Sequence, residues 1–504
     1  MIPQDPTENP IAQSDAVTPE PRRSAARTIA RNTIFGLGAQ FALKVASFIF
    51  QVLVIRQLGG EEFGQYSIVT AWVGLFSVIG DLGVNQYLAR EIARNPNRIK
   101  DLFWNTVLIR LVLALVALIV TAVAAYVYGY NTEIIVATII FTSSYFFQAL
   151  LAPINSVLTG NERLDLTSIL SVITQVLFMV FAGLFLSLGL NFTWLAVAST
   201  LNMPIVLVIA YRMVKKHNFP PPKFHITPAT WISLIRLGLP FAFMQLALSF
   251  SFRVDTIILS GQVSDLEVGW YNVAYGLIFN ILSIVTSFST AILPTLAREH
   301  AIDPDSVKPW YYNSTRIMIF LGLPTAAGIT VLAFKLVGFL YQPEIAPAAI
   351  PLMILIWDIP FSMYQAFCGN LTQSMKLEVD AARIFGSLGV LNLALNLILI
   401  PPLGILGSSF ATVITDCTGS IQYYILLRRK LGSGIRFKSV LRIIAAVVLM
   451  SAILYLAYDL HLLILIALGG LSYLVIVWFS GAFTSEERGQ LLRITRRLIP
   501  VRTT

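Results

Sequence analysis

Long apolar runs, separated by short polar breaks, recur along almost the whole chain. Residues 111–130 and 134–160 carry no charge, and the longer run 166–211 is broken by polar residues near 187–191. Since a helix needs about 20 mostly apolar residues to cross a bilayer, each run is long enough to span. The pattern predicts fourteen spans, near 32–56, 65–89, 104–128, 134–158, 166–188, 191–211, 234–260, 270–296, 313–338, 347–372, 382–400, 404–427, 439–458 and 461–481.

Composition supports lipid as the solvent of this chain. Of its 504 residues, 56% are hydrophobic and 12% are charged, and the mean hydropathy is +0.76. Soluble proteins carry about 25% charged residues. The breaks between runs are too short for a soluble enzyme domain, and the largest, about 212–233, contains three consecutive prolines typical of a linker.

The basic residues predict the orientation. With the N-terminus inside, 30 of the 35 Lys and Arg residues fall on the cytoplasmic side, as the positive-inside rule requires. We therefore expect both termini in the cytoplasm, with residues 1–28 as a disordered tail and 483–504 as a basic tail. The net charge of +9 is explained by anionic lipid, and no nucleic-acid partner is expected. No cofactor is expected, and Cys368, Cys417 and four scattered His residues suggest no disulfide or metal site.

Two halves of the chain share a repeated sequence. Gly64-Gln65-Tyr66 corresponds to Gly269-Trp270-Tyr271 at an offset of 205, and 88–91 corresponds to 296–299, both LARE, at an offset of 208. The equivalent spans run in the same direction, which predicts parallel repeats. We expect an all-α, polytopic membrane protein with an N-lobe at 29–215, a linker at 216–233, a C-lobe at 234–430 and two additional helices at 431–482.

Polar residues form stripes on four of the predicted helices, at spacings that place them on one face. An offset of 206 superposes the stripes of spans 2 and 8. The four faces predict a shared central cavity, although close packing of helices through small residues also explains the Gly, Ser and Thr positions. The stripes comprise Gln40, Lys44, Ser47 and Gln51 in span 1; Thr70, Gly74, Ser77 and Asp81 in span 2; Gln245, Ser249, Thr256 and Ser260, with Arg253 nearby, in span 7; and Gly276, Asn280, Ser283 and Ser287 in span 8.

Charged residues within spans are the strongest candidates for function. Lys44 lies near the middle of span 1, where a charge costs about 2.5–3.5 kcal/mol, so we expect it to face water or an anion. Arg253 is a second candidate for the cavity, whereas Arg110 is expected to snorkel to the cytoplasmic surface. The substrate-binding candidates are Lys44, Arg253, Gln40, Gln51, Gln245 and Asn280.

Three acids inside spans are candidates for coupling or ion pairing. They are Asp81, Asp358 and Asp416, and each could pair with a cation, carry a coupling proton or accept a hydrogen bond from a helix end. Asp255, two residues from Arg253, points to a nearly opposite helix face and is interpreted as structural.

Several stretches resemble the oligosaccharide (O-antigen and polysaccharide repeat-unit) flippase family of the multidrug/oligosaccharidyl-lipid/polysaccharide exporter superfamily. They are LGGEEFGQY at 58–66, DLG at 81–83, DTIIL at 255–259 followed by Gly269, Tyr271 and Ala274, and a late run of Asn392, Asn396, Pro401, Gly404, Gly407 and Ser408. The resemblance covers about residues 30–480, and the late run is shared across the superfamily. Pro401-Pro402 departs from the single proline of the family.

The resemblance implies two six-helix lobes around a cationic cavity that takes up polyprenyl-diphosphate-linked oligosaccharide inside and releases it outside the cytoplasmic membrane. It implies membrane lipids as partners, with a polysaccharide polymerase and glycosyltransferases as further candidates, and no catalytic residues. A lipid II flippase or a multidrug exporter of the same superfamily is the alternative, and a drug exporter for cations should show an acidic cavity. A membrane-embedded polymerase or ligase is a third hypothesis, disfavoured by short outer loops nearly free of basic residues.

Overall fold

A computed structural model describes residues 22–216, 226–432 and 437–481. Within these ranges all regular secondary structure is helical, which confirms the predicted all-α class. Short 3₁₀ turns lie at Pro96–Arg98, Pro304–Ser306 and Pro343–Ala348. The α-helices of the described ranges are α1 (Arg22–Asp81), α2 (Val84–Arg94), α3 (Ile99–Tyr128), α4 (Thr132–Gly160), α5 (Leu164–Ser187), α6 (Thr193–Lys216), α7 (Pro228–Ser260), α8 (Asp265–Ile302), α9 (Val307–Leu340), α10 (Ala349–Leu355), α11 (Asp358–Ser374), α12 (Glu378–Leu403), α13 (Ile405–Leu431), α14 (Phe437–Leu456) and α15 (Leu462–Ser480).

Helices lie at every predicted span, and two spans are interrupted. Span 2, predicted as one helix over 65–89, breaks at Leu82 (φ 45°) and Gly83 (φ 73°) between α1 and α2. Span 10 consists of α10 and α11, and the segments Pro343–Leu355 and Asp358–Ser374 are bent by 50°. Spans 1 and 2 both lie within α1, where two helical segments join at a kink at Gly59, whose φ of 77° lies in the left-handed region that glycine adopts without strain.

The predicted tails and linker fall mostly outside the described residues. Residues 22–28 of the predicted N-terminal tail are helical because α1 already begins at Arg22. Residues 1–21, 217–225 and 483–504 lie outside the described ranges. The division into tails, linker and lobes therefore stays a prediction.

Among the described residues, ten helices are long and apolar enough to cross a membrane, or eleven if the bent pair forms one span. This identifies a multi-pass membrane protein. Helices α8 and α13 are not among the ten, although both lie at predicted spans. The count of fourteen spans remains a prediction.

The chain divides into two compact units, Met1–Phe48 and Ile49–Thr504. In the first, the hydroxyl of Ser47 donates to the carbonyl of Leu43, one turn earlier, at 2.8 Å. The second unit contains the rest of α1 and all later helices.

Apolar clusters among the described residues organise the second unit, and three of them join most of its helices. One joins α2, α3 and α4 through residues such as Leu88 and Leu102, and includes Leu234 at the start of α7. Another joins α4, α5 and α6 around Leu158 and Val206. The third packs α14 and α15 onto α9. The two helices that follow the predicted repeat therefore dock on α9.

Candidate translocation site

The polar faces of α1 and α8 meet at Gln51 and Asn280. The Asn280 amide donates to the side-chain oxygen of Gln51 at 3.0 Å and to the carbonyl of Gly276 at 2.7 Å. A Cβ atom at Gly276 would collide with the Gln51 amide, so the missing side chain makes room for this contact. The structure thus joins two of the four predicted stripes across the two halves of the repeat.

The other two stripes meet at Gly74 and Arg253. A Cβ atom at Gly74 would lie 3.4 Å from Nε of Arg253 and 3.6 Å from its Cγ, so the Arg253 side chain of α7 runs along α1. Arg253 is exposed within this arrangement. At an offset of 206, Gly74 corresponds to Asn280, so each contact contains one member of an equivalent pair.

Many hydroxyl groups of the stripes are already hydrogen-bonded. Ser77 donates to the carbonyl of Gly74 at 2.7 Å, and Thr70 donates to the carbonyl of Ser67 at 2.9 Å. On α7, Thr256 donates to Asn272 at 3.2 Å. These positions fit helix packing as well as a cavity, and the capacity for specific recognition rests on the amide and charged side chains.

The remaining cavity candidates lie on α1 and α7. Lys44 is half-buried and belongs to the first compact unit, as does Gln40, whose side chain is outside the described part of the structure. Gln245 is half-buried on α7. Their roles in binding substrate stay predictions.

Asp81 forms a salt bridge with Arg110. Its Oδ1 accepts from Nη1 of Arg110 at 2.9 Å, and only 5% of the Arg110 side chain is exposed, against 23% for Asp81. The expectation that Arg110 snorkels is therefore wrong. A buried guanidinium needs an anion, and Asp81 at the end of α1 supplies one.

Asp358, which is buried, and Asp416, which is half-buried, form a second polar group between α11 and α13. Their carboxyl groups lie close to each other. Ser362 donates to Asp358 and the Gln365 amide donates to Asp416, both at 3.0 Å. Two ionised carboxylates at close range repel each other, so a proton bound to either one relieves that repulsion. The arrangement can hold and release a proton.

Asp255 lies in a hydrogen-bonded setting consistent with a structural role. It is buried, accepts from the Tyr271 hydroxyl at 2.5 Å and from the Thr256 backbone at 2.7 Å. The contributions of Tyr271 and Gln365 were missed, because each lies far along the chain from the carboxyl it binds and no local spacing reveals the contact.

The late Asn/Pro/Gly run shapes a helical hairpin. Asn396 is fully buried and donates to Asn392, and a Cβ atom at Gly407 would collide with the carbonyl of Leu399. The run therefore serves the tight packing of α12 against α13, which explains why it does not distinguish substrates.

Many apolar helices, polar faces meeting between two repeated halves and two neighbouring acids inside the helices are typical of a multi-pass membrane transporter. The family described as "Polysaccharide biosynthesis protein" matches residues 29–300, more than half of the chain, and the MatE family matches residues 240–398. The chain belongs to the polysaccharide biosynthesis protein family. It is a flippase-type transporter of the multidrug/oligosaccharidyl-lipid/polysaccharide exporter superfamily.

Relatives agree with this assignment. The chain is 23% identical over 400 residues to the "Probable low-salt glycan biosynthesis flippase Agl15" of Haloferax volcanii, which covers 77% of this chain and 80% of the relative. Its fold is similar to that of "Lipid II flippase MurJ, inward closed conformation", with a TM-score of 0.72, 15% identity and coverage of 88% and 98% of the two chains. An inward-facing multidrug resistance MATE family transporter gives a TM-score of 0.58 at 15% identity, covering 77% and 94%. These structural likenesses concern the fold.

Proposed function

We propose that the protein moves polyprenyl-diphosphate-linked oligosaccharides across the cytoplasmic membrane for cell-surface polysaccharide biosynthesis, by alternating access of a cationic central cavity. The observation that carries the proposal is the meeting of polar faces from both halves, Gln51 with Asn280 and Arg253 with Gly74. Sugar hydroxyls and phosphates cannot enter hydrocarbon without a substitute for water, and a face lined by amides and a guanidinium supplies one. Arg253 is the proposed ligand of the diphosphate, and the role of Lys44 in binding substrate stays the prediction made from the sequence.

Electrostatics favours outward transport of such a substrate. An inside-negative potential assists the movement of each negative charge by about 2.3 kcal/mol per 100 mV. We propose that both termini are cytoplasmic, so that glycosyltransferases supply substrate inside and a polymerase consumes it outside.

Transport in proteoliposomes tests the proposal. Purified protein is reconstituted with polyprenyl-diphosphate-linked oligosaccharide, and a membrane-impermeant glycosidase reports the fraction of sugars on each side. Arg253→Gln should slow transport about tenfold or more, since a hydrogen bond to a charged group contributes about 1.5–3 kcal/mol. Arg253→Lys should keep part of the rate, because the positive charge remains. Likewise, Lys44→Gln should slow transport, and Lys44→Arg should keep part of the rate.

Arg383→Gln is the matched control, because its side chain is 77% exposed and pairs loosely with Asp380. It should transport at the wild-type rate. The same vesicles containing lipid II or a cationic drug test the alternatives. Wild-type rates for well-folded Arg253→Gln and Lys44→Gln proteins would exclude the cationic site, and transport of lipid II alone would overturn the substrate.

We further propose that Asp358 and Asp416 form the coupling site, taking up or releasing a proton during the cycle. The proximity of the two carboxyl groups supports this role, because repulsion between two negative charges favours binding of a proton, and the Gln365 amide donates to Asp416. A change of protonation would alter the contact between α11 and α13, next to the bend between α10 and α11.

A pH gradient across the same proteoliposomes tests the coupling. Wild-type transport should respond to the gradient, whereas Asp358→Asn and Asp416→Asn should transport at a rate independent of it. Cys417→Ser, one residue beyond Asp416, is the control and should keep the wild-type response. An unchanged response in both Asn variants would contradict the assignment.

A further inference from the structure

The repeated sequence segments of the two halves meet each other in the structure. Gly64 of α1 and Gly269 of α8 are equivalent at an offset of 205. A Cβ atom at Gly64 would collide with the carbonyl of Asp265 and lie 3.0 Å from the Gly269 nitrogen. One at Gly269 would collide with the carbonyl of Gly60 and lie 3.3 Å from the Gly64 nitrogen. The two backbones thus cross in direct contact at equivalent glycines.

Polar contacts flank this crossing. The Gln65 amide donates to Asp265 at 3.0 Å. The Trp270 indole, also from the repeated segment, donates to the carbonyl of Glu344 at 3.0 Å. A Cβ atom at Gly60 would lie 2.4 Å from a methyl group of Leu266, so that side chain would have to move.

Arg56 extends the contact to the end of α9. Its guanidinium donates to the carbonyls of Leu340 (2.5 Å) and Phe339 (2.8 Å), which lack partners within the helix. In return, the Gln342 amide donates to the carbonyl of Arg56 at 2.8 Å. This accounts for a basic residue at a predicted outer helix end. We call these contacts of Arg56, Gly60, Gly64 and Gln65 with Asp265, Leu266, Gly269 and 339–342 the outer seam.

A second set of contacts lies beside the outer seam, between the ends of α3 and α7. The Tyr128 hydroxyl donates to the carbonyl of Ile257 at 2.8 Å, and the hydroxyls of Tyr130 and Ser260 share a hydrogen bond of 2.5 Å. The Trp72 indole donates to Tyr130 at 2.6 Å. Burial raises the pKa of the Tyr130 hydroxyl, so that it keeps its proton and can donate. In the predicted topology these ends face outward, as does the outer seam.

The composition of the outer seam suits a contact that opens and closes. At its centre the contacting groups are backbone atoms and small residues, so α1 and α8 can separate without unpacking large side chains. The flanking contacts are hydrogen bonds that water can replace on opening. A side chain at the crossing would hold the two halves apart, so full closure requires glycine at both positions.

We propose that the outer seam is the gate through which the sugar–diphosphate headgroup leaves, and that the glycines of LGGEEFG and of Gly269-Trp270-Tyr271 are its closing surfaces. The proposal rests on the proposed function in that it assumes alternating access. It gives the repeated motif a role separate from substrate binding: the two halves carry the same segment because each forms half of one contact.

A reversible cross-link tests the gate. In a Cys368→Ala, Cys417→Ala background, Gln65→Cys with Asp265→Cys should form a disulfide on oxidation, because the two side chains are in contact. Transport should then fall to the level of protein-free vesicles and recover after reduction. The matched pair Ser264→Cys with Glu267→Cys also replaces contacting side chains, 3.0 Å apart, but lies within one half and should leave the rate unchanged on oxidation. Undiminished transport by the cross-linked 65/265 protein would overturn the gate.

A glycine substitution gives a readout that requires no substrate. With Gln51→Cys as reporter, a membrane-impermeant thiol reagent added outside should label Gly64→Ala faster than the parent protein, because the added Cβ atom keeps the outer seam apart. Gly338→Ala is the control, since a Cβ atom at Gly338 meets nothing within 4 Å, and its labelling should match that of the parent. Equal labelling of the two variants would contradict the proposal.

The two readouts separate this gate from the proposed substrate. If the wild-type protein does not transport glycan-lipid but the labelling results are as expected, the proposed substrate is wrong and the proposed gate is supported. If the cross-linked protein transports glycan-lipid at the normal rate, the proposed gate is wrong and the proposed substrate is supported.

Discussion

Arg110 illustrates how single charges are accommodated in this protein. A guanidinium in a span costs less when it reaches the interface or when an acid neutralises it. Here the second solution applies, since Arg110 is buried and Asp81 is 2.9 Å away. The acid lies where α1 ends and the chain turns through Leu82 and Gly83 into α2, so the ion pair also anchors the interruption of span 2.

Removing one partner of this pair should destabilise the protein. Asp81→Asn leaves a buried cation without its anion, a change that costs about 3–5 kcal/mol in fully buried pairs and less here because Asp81 is partly exposed. Adding Arg110→Gln should restore part of the loss, since no charge then remains unpaired. Thermal unfolding in detergent, monitored by tryptophan fluorescence, measures the stability of each variant and therefore their order of stability.

Asp380→Asn, which breaks the exposed pair with Arg383, is the control and should change the free energy of unfolding by about 0–1 kcal/mol. If Asp81→Asn unfolds at the wild-type temperature, the ion pair contributes nothing to stability. A double variant less stable than Asp81→Asn would show that Arg110 has a second favourable role.

Among the helices, α14 and α15 form an attached pair. Ala446 and Met450 of α14 and Leu465 and Tyr473 of α15 belong to one apolar cluster with α9. The Tyr473 hydroxyl donates to the carbonyl of Phe320 on α9 at 2.7 Å. The Lys335 ammonium of α9 donates to the carbonyl of Leu460, between the two helices, at 2.8 Å. We propose that this pair shapes a groove for the polyprenyl tail.

Two adjacent glycines provide a test of that role. A Cβ atom at Gly469 would lie 3.2 Å from a methyl group of Leu454, whereas one at Gly470 meets nothing within 4 Å. Gly469→Leu should therefore force α14 and α15 apart and slow transport of a long-chain polyprenyl substrate more than that of a short-chain analogue. Gly470→Leu should transport both at the wild-type rate. Equal slowing of both substrates by Gly469→Leu would refute a role in holding the tail.

At the scale of the molecule, orientation is governed by the basic residues. Two basic residues at predicted outer helix ends have specific partners: Arg56 binds the end of α9, and Lys335 binds Leu460 and lies 4.7 Å from the centre of the Tyr458 ring. Their positions are explained by these contacts, so they do not weaken the cytoplasmic bias of the other Lys and Arg residues.

Labelling in intact cells tests the predicted topology. In a Cys368→Ala, Cys417→Ala background, Leu188→Cys should react with an impermeant thiol reagent added outside, because Leu188 is 66% exposed at the end of α5. Asn97→Cys, also exposed but predicted to be cytoplasmic, should react only after the cells are permeabilised. The opposite pattern would invert the topology, and with it the assignment of the outer seam.

The sequence by itself determined the helices and their class. Lipid demands long apolar runs with internally satisfied backbones, so the positions of the spans can be read from hydropathy. The polar stripes could also be recognised, because spacing along a helix determines which residues share a face. The repeat could be recognised from matching segments at a nearly constant offset. Hydropathy did not reveal the interruptions at Leu82–Gly83 and between α10 and α11, since neither lies in a polar break long enough to separate two apolar runs.

Only the tertiary structure decided which faces meet. Asp81 could have paired with any nearby cation, and Asp358 with any neighbour, but helix packing selected Arg110 for one and Asp416 for the other. Gly64 and Gly269 were recognised from the sequence as equivalent, yet their direct contact depends on how the two repeats are arranged in space. Spacing along a helix fixes which residues share a face, whereas the partner of that face depends on the rotation and register of another helix, which no local pattern records.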